Sequence, residues 1–215
     1  MILSASIAGY LRLRSHFQAP FQWSREANTY TNTYYGLQIT KQEGWLRYTD
    51  DNISLEKRIF LSRLFGSGTP LLFAKRNLIE FHKLSDAGKS NAIITIGPVD
   101  DLKGKWYGRS VENYAHVSLE ATLAPKKIWL KRSQIKLTEL SGRPCAKLRT
   151  SYEIPKIGEL ENQFYFFIKD KKGFHIGYFA KPSEFDKYHD EAAQMIQSIR
   201  FSEQTVDGKH RGEYV

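Results

Sequence analysis

Cys145 and six histidines are the residues of this chain best equipped for nucleophilic, acid–base or metal chemistry. A cysteine nucleophile needs a base within hydrogen-bond reach, often with a third group to orient that base. His116 and His175 are the candidate bases, but nothing in the spacing brings either to Cys145. Pro144-Cys145-Ala146 opens a predicted strand, where cysteine more simply serves as a small packing residue. The histidines are His16, His82, His116, His175, His189 and His210, and no two of them form an HxH or HExxH pair. No metal site is therefore written locally. His175 and His189 flank one strand–helix unit, with Glu184 and Asp186 nearby, and are the best pieces for a site assembled in space. The plainer reading makes them partly exposed polar side chains. Ala87-Gly88-Lys89-Ser90 has the last letters of a phosphate-binding loop, but that loop needs a Gly where Lys83 stands and must open a helix. Asn91 onward reads as a strand instead. These residues lead us to expect no catalytic centre, no metal and no cofactor.

Charge is more informative. The chain carries 32 Lys and Arg against 23 Asp and Glu, a net +9. Residues 126–156 hold nine of the basic residues and two acids, a local +7 that leaves +2 for the remainder. On the strand predicted from Cys145 to Ile154, Lys147 and Arg149 share a face with Cys145 and Ser151, while Ala146, Leu148, Thr150 and Tyr152 share the other. Lys126, Lys127, Lys131, Arg132, Lys136 and Arg143 lie in or beside the same hairpin. Lys131, Arg132, Lys136, Lys147 and Arg149 are the candidate binding residues, for an acidic protein, an anionic membrane surface or nucleic acid. The competing reading is a solvated sheet edge guarded against aggregation by basic side chains. Nucleic acid ranks below the other partners because no aromatic RNA-binding signature accompanies the charge.

The elements that must position these residues centre on Glu161 to Phe201. Phe164, Tyr165, Phe166, Phe167 and Ile168 are consecutive and apolar or aromatic, which predicts a central strand covered on both faces. Asp170 to Gly173 predicts a turn with Gly173 supplying a positive φ. The return strand puts Phe174, Ile176 and Tyr178 on one face, and His175, Gly177 and Phe179 on the other. Ser183 then predicts an N-cap, with Phe185, Tyr188, Ala192, Met195 and Ile196 on one helical stripe. Ile199 and Phe201 resume a strand, and a helix running straight into a strand should pack across the same sheet. Upstream, Ser110 predicts the cap of a helix over 111–124 that buries Val111, Tyr114, Ala115, Ser118, Leu119 and Leu123, with Pro125 ending it. Residues 135–140 and 145–154 predict a hairpin about Ser141-Gly142. Strands over 36–41, 71–75 and 92–96, a helix over 54–65 and a polar loop between the last two strands complete the reading. The fold class is α+β, a mainly antiparallel sheet with helices on both faces, an α/β/α sandwich.

Hydrophobic residues make up 41% of the chain, enough for a core, and one cysteine rules out an intrachain disulfide. No run of about 18 apolar residues predicts a membrane span. Residues 1–35 read as an N-terminal arm or the remnant of an export or anchor segment, since Ile2 to Ala8 is apolar but short and has no basic residue ahead of it. Within them, the polar stretch 24–34 reads as linker. Residues 36–203 read as one domain and 204–215 as a polar tail.

The stretch Tyr34-Tyr35-Gly36-Leu37-Gln38-Ile39-Thr40 running to Gly44-Trp45, the later Pro70-Leu71-Leu72-Phe73, a mid-chain helix, two hairpins and the ending Gln197-Ser198-Ile199-Arg200-Phe201 together resemble the PsbP/Mog/DcrB-like group over about residues 34–203. The resemblance implies an antiparallel sheet sandwiched between helices. It also implies a non-enzymatic accessory or binding role, often in the bacterial cell envelope, and transfers no catalytic residues. It favours a periplasmic or membrane-associated location over a cytoplasmic one. The alternatives are a binder of nucleic acid or anionic membrane through the basic hairpin, and an enzyme using Cys145 or a dispersed His/carboxylate site.

Overall fold

The structure is a computed structural model and describes residues 23–48, 78–86, 90–97, 100–101, 110–123, 130–154 and 158–202. The helix expected over 54–65, the strand over 71–75, Ala87-Gly88-Lys89, Pro125, Lys126, Lys127 and the 204–215 tail lie outside the described residues. The described residues divide into two compact units, one holding 23–41 and 198–202, the other those that fall within 42–197.

In the first unit, strands β1 (Trp23–Glu26), β2 (Thr29–Asn32), β3 (Leu37–Thr40) and β13 (Arg200–Phe201) form a sheet in the order β1-β2-β3-β13. Residues 24–34 are therefore a hairpin and its outgoing turn, not a linker. Thr29, Tyr30 and Thr31 carry the β-branched and aromatic side chains that a sheet accepts, and Tyr30 and Asn32 are buried. Leu37 and Ile39 point inward as expected, both fully buried. The closing strand pairs with β3, Phe201 opposite Leu37, and so joins this small sheet instead of the one its helix covers.

The second unit is built on a nine-stranded antiparallel sheet among the described residues. Its strands are β4 (Trp45–Tyr48), β5 (Ile79–Leu84), β6 (Ser90–Ile96), β7 (Asp100–Asp101), β8 (Leu130–Arg132), β9 (Lys136–Leu140), β10 (Arg143–Ile154), β11 (Gly158–Lys169) and β12 (Lys172–Ala180). The main path runs β4-β5-β6-β12-β11-β10-β8, with β7 on β12 and β9 on β10. The polar loop expected before Ala92 instead holds β5, in which Ile79 and Phe81 alternate inward. Interleaved Glu80, His82 and Lys83 hid that strand from a reading by polarity alone.

β11 is the central strand the aromatic run predicts. Phe166 and Phe167 are sequence neighbours on opposite faces, and both are buried. Phe167 stacks on Phe174 with ring centroids 5.1 Å apart. Helix α1 (Val111–Leu123) packs Tyr114, Ala115 and Leu119 against Ala146, Leu148 and Phe166. Ser110 caps it as expected, its Oγ accepting from the Asn113 amide at 3.1 Å. Helix α2 (Pro182–Gln197) buries the expected stripe, Phe185, Tyr188, Ala192, Met195 and Ile196. Its cap is not Ser183. The Glu184 and Phe185 amides both donate to the Lys181 carbonyl at 2.9 Å, so Pro182 occupies the first helical position, where its missing N–H costs nothing.

Two tight turns set the register of the central strands. Asp170 and Lys171 (φ 51° and 60°) close the β11–β12 hairpin, and Ser141 and Gly142 (φ 55° and 72°) close β9–β10. Both are two-residue loops with positive φ at each central position, the type I′ geometry that suits strand twist. Gly173 does not supply the positive φ. It sits in β12 because the Tyr114 ring occupies the space its Cβ would need.

Candidate functional site

β8 and β9 pair with the same side of β10, one after the other, and form a broken strand along the border of the large sheet. Ser133 fills the break: its amide donates to the Arg149 carbonyl and its Oγ accepts from the Arg149 amide, each at 2.9 Å. The register sets Lys136 opposite Lys147, Lys131 opposite Ser151 and Arg132 opposite Thr150. Directly opposed residues share a face, and alternate residues along β10 share that face again. Lys131, Lys136, Lys147 and Arg149 are thereby gathered on one face of the sheet border; of Arg132, the backbone register alone is described.

The four cations differ in what they already hold. Arg149 is engaged: its Nη2 lies 2.6 Å from Glu161 and 3.4 Å from Asp186, and its guanidinium sits 4.3 Å over the Phe185 ring. The hydrogen bond to Glu161, outweighing partial desolvation and helped by both carboxylate charges, raises its pKa further. Arg149 therefore ties β10 to β11 and α2 within the site. Lys147 lies 5.4 Å over the Tyr165 ring and is half-buried. Lys131 and Lys136 are exposed, and among the described residues no carboxylate pairs with either or with Lys147. Lys136 and Lys147 are thus like charges set directly opposite each other, an arrangement that disfavours the pair unless an anion bridges them.

The catalytic alternatives are not brought together. Cys145 is fully buried, and burial, opposed by a hydrogen bond from the Phe166 backbone and by Lys147, pushes its thiol up to about 12. A thiol so placed has little thiolate to offer. His175 lies opposite Phe166 in register, on the face away from Cys145, and His116 is exposed on α1. His189 packs on the other side of β12, 6.1 Å from Tyr178, with Nε2 3.3 Å from the Gln163 Oε1. The intervening sheet separates it from His175. Of the carboxylates beside it, Asp186 pairs with Arg149 and Glu184 with Lys187 at 3.6 Å. No group of three or more His, Cys, Asp or Glu side chains is arranged to hold a metal ion among the described residues.

Two polar clusters escaped the sequence reading. His82, 2% exposed, has Nδ1 2.7 Å from Ser90 Oγ and Nε2 3.4 Å from Glu80. Ser90, the end of the phosphate-loop-like tetrapeptide, opens β6 and holds this buried imidazole. The i, i+2 spacing of Glu80 and His82 was the available signal once a strand was assumed. Glu191 on α2 accepts from Trp45 Nε1 and Lys83 Nζ, each at 2.8 Å, pinning the helix to β4 and β5. That network joins residues 146 positions apart and had no local signature.

A mostly antiparallel sheet with two described helices, its central hairpin leading into α2, defines a PsbP-like fold. The chain is similar in structure to cyanobacterial PsbP (CyanoP) from Synechocystis sp. PCC 6803, with a TM-score of 0.54 and 8% identity over 81% of this chain and 91% of that one. A second similar structure is LpqN of Mycobacterium tuberculosis, described as involved in cell envelope biogenesis, with a TM-score of 0.47 and 10% identity over 77% of this chain and 83% of that one. No protein-family model matches the chain, and no curated protein matches its sequence.

Proposed function

We propose that this protein is a non-enzymatic accessory or binding protein of the bacterial cell envelope, and that its basic border recognises an acidic protein. The observation that carries the reading is the pair Lys136 and Lys147, opposed across β9 and β10 with no carboxylate of the described residues between them. Lys131 extends the charge along the same border, with Arg132 beside it in sequence, while Arg149 braces the strand through Glu161 and Phe185. Clustered exposed cations raise the local concentration of an anionic partner and speed encounter. In this reading α1 and α2 are the outer layers of an α/β/α sandwich and leave the β9 border open. The envelope placement rests on the family resemblance of the sequence. Among the described residues no helix is long and apolar enough to cross a membrane.

The test compares poly-glutamate, vesicles containing phosphatidylglycerol and a random DNA duplex, at low salt and at about 0.15 M, where screening acts over about 8 Å. We expect poly-glutamate to bind most tightly, and Lys136→Glu with Lys147→Glu to weaken it while the urea midpoint stays in place. Vesicle binding without poly-glutamate binding would move the reading to a membrane surface, and DNA binding alone would move it to nucleic acid. Binding by none of the three, unaffected by charge reversal, would leave the border a solvated edge.

A further inference from the structure

We infer that the acidic partner docks by adding an extended strand to the open edge of β9, with acidic and apolar residues alternating along it. The inference rests on the acidic-partner reading above and specifies how the contact is made. In a two-residue hairpin the residues flanking the loop exchange both main-chain hydrogen bonds, which here makes Leu140 and Arg143 a bonded pair. Pairs then alternate, so Thr138 with Cys145 and Lys136 with Lys147 are also bonded, while Leu137 and Glu139 turn their N–H and C=O groups away from β10. The same alternation continues at Arg149, whose amide and carbonyl both engage Ser133 on this side of β10. It also explains Pro144, which lies opposite Glu139 and whose missing N–H would point away from β9, toward β11. The outer border of β9 therefore offers two donors and two acceptors, and among the described residues β9 pairs with β10 alone.

The side chains define what would fill it. Leu137 is 65% exposed on the border, an apolar residue where an edge guarded against pairing would carry a charge. An added strand would set an apolar side chain beside Leu137. On the other face, its alternate side chains would meet Lys136 and the neighbouring Lys147 and Lys131, which calls for carboxylates. Exposed Glu139 shares the Leu137 face and disfavours acids there, so the acids belong on one face only. Main-chain bonds would supply affinity and the alternating side chains specificity, as in other strand additions.

The probe is a nine-residue peptide alternating Glu and Val, compared with its Lys/Val counterpart and with a Glu/Val peptide N-methylated on alternate residues. Leu137→Pro and Glu139→Pro each remove one outward N–H and leave the bonded pairs to β10 intact. We expect the Glu/Val peptide to bind, each proline variant to bind it at least about tenfold more weakly, and the Lys/Val and N-methylated peptides to fail. The Leu137 and Glu139 amides of the wild-type protein should become slower to exchange when the peptide is present, a readout that holds even where a proline variant folds poorly. Equal binding of the N-methylated peptide, or unchanged exchange at both amides while the peptide is bound, would overturn the strand addition and leave acidic recognition standing. Binding that survives Lys136→Glu with Lys147→Glu would overturn the acidic reading itself, whatever the exchange data give.

Discussion

At the residue scale, Cys145 shows how burial decides chemistry. The thiol shares a strand face with Lys147, two residues away, and a nearby cation ordinarily favours thiolate. Desolvation dominates here and pushes the thiol up to about 12. Iodoacetamide at pH 8 should therefore leave the native protein unmodified and label it once urea exposes the site; stoichiometric labelling of the folded protein would refute this. Cys145→Ser should leave poly-glutamate binding intact, because the thiol is buried and no histidine of the described residues reaches the sulfur. Phe166 and Phe167 carry a different weight. Each ring is buried on its own face, so Phe166→Ala and Phe167→Ala should each cost about 3–5 kcal/mol in urea unfolding. A loss under about 1 kcal/mol at both positions would contradict the central place of β11.

At the element scale, the docking of α2 onto β4 and β5 depends on Glu191. Burial raises its pKa, but hydrogen bonds from Lys83 and Trp45, with the Lys83 charge, more than offset that and lower it overall. The folded value lies below the unfolded one of about 4.3, so the unfolded chain takes up the proton first as pH falls. The stabilisation from ionised Glu191 is complete above the unfolded value and is lost as pH drops through the folded one. Glu191→Gln should therefore show a smaller fall in urea midpoint between about pH 6 and about pH 3 than the wild type. Parallel pH profiles for the two proteins would show that the network adds no pH-linked stability. The Glu191 side chain is 41% exposed, so solvent screening limits the effect.

At the scale of the whole molecule, the net +9 is concentrated, with +7 arising in residues 126–156. A chain of that charge spread evenly would show a shallow response to salt. With Lys131, Lys136, Lys147 and Arg149 on one border, association with poly-glutamate should slow steeply from low to physiological salt, with dissociation changing less. Rates measured by stopped flow that hold steady across this range would mean the border does not steer encounter.

Sequence alone sufficed wherever a physical pattern was local. The run from Phe164 to Ile168 dictated a strand buried on both faces, the α2 stripe named its own buried residues, and Ser110 named its own cap. The turn at Ser141-Gly142 was legible because a two-residue loop with positive φ selects for glycine. Gly173 was misread because its reason is not local: Tyr114 fills the space beside it from another element. β1, β2 and β5 were missed because their polar residues mask alternation until neighbouring strands supply the pairing. The candidate site divides in the same way. Composition located the cluster of charge between 126 and 156, a property that needs no coordinates. Only the tertiary structure separated Arg149, already held by Glu161 and Asp186, from Lys136 and Lys147, whose opposition is a matter of cross-strand register. Register is set by turns and by partners distant in the chain, and so are the outward amides of Leu137 and Glu139.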